Sequence, residues 1–163
     1  MSADEEVIST TGGEDARSWV LRLLEQAHHE VDIQSPHLDS QIYDQGEVLA
    51  AIRQLVVNAG RRARVRILVG DCAPMVQRGH RLLELSRQLS SYIEIRELAA
   101  EDAIDAAALI VVDRAHYLRW ESGAGYRGTG RRHARGRAAR WHRAFSDCWE
   151  RAHRPAALRR LHL

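Results

Sequence analysis

The sequence predicts an α/β fold in three layers, a mixed β-sheet flanked by helices. Three observations predict it. Segments with helical spacing alternate with short strand-like segments, in the order α-β-α-β-α-β-β-β-α. The stretch "AALIVVD", residues 107–113, is a continuous apolar run, the pattern of a central strand buried on both faces. The chain has 163 residues, enough for one domain with a real core and too few for two ordinary ones.

Taken in order, residues 1–13 read as a disordered tail that ends in the breaker "TTGG", and residues 14–163 as the domain. "EDARSWVLRLLEQAHHE" spaces Trp19, Val20, Leu23, Leu24 and Ala27 on one helical face, with acids at its start to suit the helix dipole. "VDIQS" is a short strand stopped by Ser35-Pro36. "YDQGEVLAAIRQLVVNAG" is a second helix that ends at Gly60. "RVRILVG" alternates, with Val65, Ile67 and Val69 on one side and Arg64 and Arg66 on the other. "QRGHRLLELSRQLS" is a third helix and "YIEIREL" another alternating strand. After the apolar run, "RA" turns the chain into "HYLRW" to make a hairpin. "ESGAGYRGTGRRHARG" reads as a Gly- and Arg-rich loop. "RAARWHRAFSDCWERA" is the last helix; its Trp141, Phe145 and Trp149 stripe is core or an interface. Pro155 ends that helix, and "ALRRLHL" is a tail.

All 24 basic residues are arginine. The absence of lysine excludes Schiff-base chemistry, P-loop phosphate binding and any lysine-based catalysis. The net charge of +2 conceals a strong asymmetry. Residues 1–60 carry −8, residues 61–113 are neutral, and residues 114–163 carry +10. No apolar run is long enough to span a membrane, and the acidic, polar start is unlike a signal peptide, so a cytoplasmic location is expected. Cys72 and Cys148 fit no metal or redox motif. The histidines and acids of "AHHEVDIQSPHLD" share no common face because Ser35-Pro36 interrupts them, so neither metal nor cofactor is expected.

The order of elements, with the phrases "VDIQSPHL" and "RVRILVG" before the apolar strand, resembles one half of the phospholipase D superfamily over roughly residues 14–153. Within it, the chain looks most like a small bacterial family of unknown function, sometimes attached to acetyltransferase domains. The resemblance implies a three-layer phospholipase D-like domain. It also implies the motif His-x-Lys-x4-Asp on the central strand. Anchored at Asp113, the nucleophilic histidine falls on Ala106 and the phosphate-gripping lysine on Ala108. Alanine has no lone pair to attack phosphorus and no charge to hold phosphoryl oxygens. The expectation is therefore a catalytically inactive domain that acts as a binding module. Active members pair two such halves, so the resemblance also implies a homodimer. Two alternatives stand beside this one: a phosphodiesterase or transferase with a relocated site near Asp113, and an accessory domain to an acetyltransferase partner.

Two binding regions are expected. Strand ends on the motif side offer a ligand pocket of His37, Asp71, Asp113, Arg119 and Tyr126, unless the two aspartates are only strand-end caps. The segment 126–143 holds seven arginines and no acid, six of the arginines between Tyr126 and Trp141. Arg127, Arg131, Arg132, Arg135, Arg137 and Arg140 would then contact nucleic acid or another polyanion, guanidinium on phosphate and ring on base. Alternatively, the segment pairs with the acidic N-terminal half.

Overall fold

The computed structural model describes residues 5–159. Seven strands form one sheet: β1 (Glu6–Thr10), β2 (Glu30–Ser35), β3 (Arg64–Val69), β4 (Ile93–Glu97), β5 (Ala108–Val112), β6 (His116–Trp120) and β7 (Gly128–Arg132). Their order is β1-β7-β6-β5-β2-β3-β4. β2, β3 and β4 run parallel, and every other neighbouring pair is antiparallel. The sheet is therefore mixed, and β5, the apolar run of the sequence, lies at its centre.

Side-chain alternation along the strands sorts residues to two covered faces. Val31, Ile33, Val65, Ile67, Ile110, Val112 and Leu118 join one large core. The helices α1 (Gly13–Glu25), α3 (Gly46–Ala59) and α5 (Arg81–Gln88) close it with Val20, Leu23, Ile52, Leu82 and Leu85. The opposite face meets the single long helix α7 (Arg135–Arg151). There Leu68 packs with Phe145 and Trp149, and Leu109 and Val111 pack with Ala138 and Trp141.

The α7 face also holds charge. Arg66, expected on the polar side of its strand, is only 4% exposed. Its Nε donates to Asp32 Oδ1 at 2.9 Å and its Nη2 to Ser146 Oγ at 3.0 Å. His142 Nδ1 lies 2.7 Å from Asp32 Oδ2. The guanidinium sits 4.9 Å from the Phe145 ring centroid. The alternation of β3 is as expected, but a helix covers its arginine, so the charge is paired rather than solvated.

Five expectations need correction. The N-terminal tail is a strand from residue 6: β1 pairs with β7 and buries Ile8, while residues 1–4 lie outside the described residues. The Gly-rich loop contains β7. A side chain at Gly130 would come within 2.0 Å of Tyr117 O, so glycine here permits close strand approach and is not a sign of loop. The second helix begins at Gly46 after a separate turn, α2 (Ser40–Tyr43). The third is broken at Gly79, whose φ of 78° cannot continue a helix, into α4 (Ala73–Arg78) and α5. A further turn, α6 (Ala100–Ala103), precedes β5. The expected tail contains α8 (Ala156–Arg159), and residues 160–163 lie outside the described residues.

Candidate functional site

A cavity of about 590 Å³ opens where β2 and β3 end and β5 begins. Ser35 at the end of β2, Ala108 at the start of β5 and Trp120 at the end of β6 form its base. Pro36, Pro74 and Met75 add apolar wall. Trp120 and Tyr126 stand side by side with ring centroids 6.1 Å apart.

The loops around it are tightly held. Leu38 and Tyr126 are non-glycine residues at φ 57° and 65°, a sparsely populated backbone region that persists only where surroundings enforce it. Thr10 Oγ1, from β1, donates to Tyr126 O at 2.7 Å. The Tyr126 hydroxyl donates to Asp39 Oδ2 at 2.7 Å, and this bond to a carboxylate is the main reason its pKa is pushed up to about 12. Buried His80 Nδ1 accepts from Leu82 N at 3.1 Å, so Nε2 carries the proton and donates to Leu38 O at 3.0 Å. Burial lowers its pKa, and both ring nitrogens are occupied. It braces the loop and has no nitrogen left for a substrate.

The charged walls are mostly neutralised from within. Asp39 also accepts from Gln41 N, Asp44 accepts from Arg81 Nε at 2.7 Å, and Glu121 pairs with Arg119 at 2.6 Å. Arg78 is exposed on the cavity wall and has no ion pair among the described residues. His37 is exposed beside it and likewise has no hydrogen-bond partner there. The site therefore offers two aromatic side chains, the mostly buried Trp120 and the more open Tyr126, with one unpaired cation and a neutralised rim.

Of the pocket residues expected from sequence, the structure brings together His37 and Tyr126 only. Arg119 points to the other face of β6, where its guanidinium lies 4.6 Å from the Trp141 ring centroid. Alternation decides this, since Trp120 takes the cavity side. Asp71 lies outside the cavity, just before α4, where its Oδ1 accepts from Ala73 N at 3.0 Å. Asp113 lies at the opposite end of β5, where its Oδ1 accepts from His29 N and Glu30 N and its Oδ2 from His28 N. It is a clamp on the start of β2, held by backbone N–H groups and by no arginine among the described residues. Ala108 lines the cavity, but Ala106 packs with the Leu68 and Phe145 cluster under α7. The strand begins only at residue 108, so the alternation that would place 106 and 108 together does not extend back to 106.

The basic segment divides. Arg131 and Arg137 pair with Glu5 at 2.8 and 3.3 Å, and Arg132 with Glu6 at 3.3 Å. Arg127, Arg135, Arg140 and Arg143 are exposed and unpaired among the described residues. Sequence reasoning missed Arg78, Asp39, His80 and Trp120 at the cavity. Nothing local in "QRGH" signals that Gly79 turns Arg78 toward a strand end. Among the described residues no group of three metal-ligating side chains occurs, and no helix is long and apolar enough to cross a membrane.

The architecture is that of a phospholipase D-like domain. Nuc from Salmonella typhimurium, a phospholipase D family member, superposes with a TM-score of 0.61 at 14% identity, over 93% of this chain and 100% of that one. NucT from Helicobacter pylori superposes at 0.58 and 11% identity, over 93% and 99%. The archaeal chromatin protein TrmBL2 superposes at 0.65 and 15% identity over 95% of this chain, which spans 56% of that one. The chain belongs to the family described as a domain of unknown function (DUF7931), which matches residues 12–161. No curated protein matches its sequence.

Proposed function

We propose that this domain is a non-catalytic binding module whose cavity takes a small ligand with a planar ring and an anionic group, such as a nucleotide. One observation carries the reading. A cavity with two aromatic walls and an unpaired arginine persists beside Ala108, in a chain with no lysine to supply the charge that phosphoryl transfer needs. Ring stacking on Trp120 or Tyr126 and a charge-assisted bond to Arg78 would together hold such a ligand. The relocated site near Asp113 is disfavoured, because the oxygens of Asp113 are occupied by three backbone N–H groups.

A second reading has its own support: the exposed arginines 127, 135, 140 and 143 form a surface for a polyanion. TrmBL2, of similar fold, is described as having a novel mode of DNA binding. We further propose that the domain acts as a homodimer, an expectation from the paired halves of active members.

Calorimetric titration with thymidine 5′-(p-nitrophenyl phosphate) at low salt tests the cavity reading. Saturable binding is expected, weakened at least tenfold by Arg78→Ala and by Trp120→Leu. Absence of binding, or binding indifferent to both changes, would refute it. Titration with mixed oligonucleotides should weaken steeply as salt rises if the arginine surface engages a polyanion, because counterions are released on association.

A further inference from the structure

A second cleft, of about 920 Å³, lies at the other end of the β5–β6 hairpin, against the N-terminal end of α7. We propose that it binds a tetrahedral oxyanion, the phosphate of a phosphomonoester, through His116 Nε2, the first-turn N–H groups of α7 and the Arg135 guanidinium.

The helix end is open for such a ligand. α7 has 17 residues and no side-chain cap, and its own hydrogen bonding begins with Ala138 N to Ala134 O. The N–H groups of Arg135, Gly136 and Arg137 have no acceptor among the described residues. All three residues line the cleft, and the space above Gly136 is empty for 4 Å. The first turn contains no acid and carries two arginines, at the positive end of the helix dipole. Arg137 already pairs with Glu5 at 3.3 Å, whereas Arg135 has no carboxylate partner among the described residues, so the positive end of the dipole still favours an anion beside Arg135.

His116 supplies the independent observation. It lines the cleft yet is only 7% exposed. Its Nδ1 accepts from His133 N at 2.9 Å, in a turn where His133 adopts φ 54°. The proton of the neutral ring therefore resides on Nε2, which has no partner among the described residues. Burial, with His133 and the nearby arginines, keeps this ring neutral by lowering its pKa to about 4. Nε2 therefore depends on what enters the cleft for an acceptor, and a bound oxyanion would supply one.

No carboxylate of the cleft fills this role. Glu5 is held by Arg131 and Arg137, Glu30 by Arg114, and Asp113 by three backbone N–H groups. The cleft shares no residue with the cavity beside Ala108, so either site can fail without the other.

Nitrogen-15 NMR of the full chain, titrated with sodium phosphate against sodium chloride at equal ionic strength and constant pH, tests the proposal. The amides of residues 135–137 and the His116 ring should shift saturably with phosphate and not with chloride. Arg135→Gln should weaken the response at least fivefold. Gly136→Glu, which places a carboxylate in the open space of the first turn, should abolish it. Phenyl phosphate in a parallel arm should move the same resonances at equal or lower concentration, as a phosphomonoester site requires. Equal shifts with chloride, a preference for free phosphate over the monoester, or a response unchanged in both variants would overturn it.

Discussion

Asp113 and Arg114 occupy the two central positions of the β5–β6 turn, both at φ 53°, closed by Ala115 N to Val112 O. Burial alone would raise the pKa of Asp113, but the backbone N–H groups of Glu30, His28 and His29 hold it below the usual carboxylate range. A carboxylate whose folded pKa is depressed stabilises the fold above its unfolded pKa of about 3.9 and loses that contribution as pH falls through the folded value. Asp113→Ala should therefore cost about 2–4 kcal/mol at pH 7, because three N–H groups lose a charged acceptor, and should flatten the lowest part of the acid limb in urea titrations. His116 behaves similarly in sign: its depressed pKa means stability is fully present above about pH 6.5 and lost toward pH 4. In phosphate-free buffer, His116→Gln should remove that upper part of the acid limb.

The element most exposed to test is α7, which is fixed to the sheet by the Asp32, Arg66, His142 and Ser146 group. Removing one member of a buried ion pair strands its partner. Asp32→Ala should cost about 3–5 kcal/mol by chemical denaturation, whereas Asp32→Leu with Arg66→Met should recover most of that loss. In β7, between β1 and β6, Gly130→Ala puts a methyl into Tyr117 O and should displace the strand, with loss of its amide protection in hydrogen exchange. These two elements also show what was legible in the sequence. The central strand, the parallel strands and α7 follow from hydrophobic period, because their apolar faces meet a core. β7 was hidden because glycines 128 and 130 serve close strand approach, which local pattern reads as loop. β1 was hidden because only Ile8 of its residues joins the apolar core, and its ladder partner lies more than a hundred residues away. At the site, Tyr126 and His37 were found because they flank strand ends. Arg119 was misplaced by a one-residue alternation, and Arg78 and His80 were missed because tertiary packing alone brings them to the cavity.

At the scale of the whole molecule, the opposed charges of the two ends of the sequence meet in part within one chain. Glu5, just before β1, and Glu6 at its start pair with Arg131, Arg132 and Arg137, and Thr10 at the end of β1 holds Tyr126 over the cavity. Deleting residues 1–10 should therefore weaken ligand binding at the cavity although none of the described residues 5–10 lines it, a coupling that calorimetry on the truncated chain would read. In the reading proposed above, the cavity beside Ala108 holds a planar, anionic ligand without cleaving it, so a chromogenic nucleotide ester that binds there should stay intact. The most direct measurement follows p-nitrophenol release from thymidine 5′-(p-nitrophenyl phosphate) at saturating binding. Release no faster than in buffer is expected, with the ester recovered intact. Release that exceeds buffer and is lost in Arg78→Ala would contradict it.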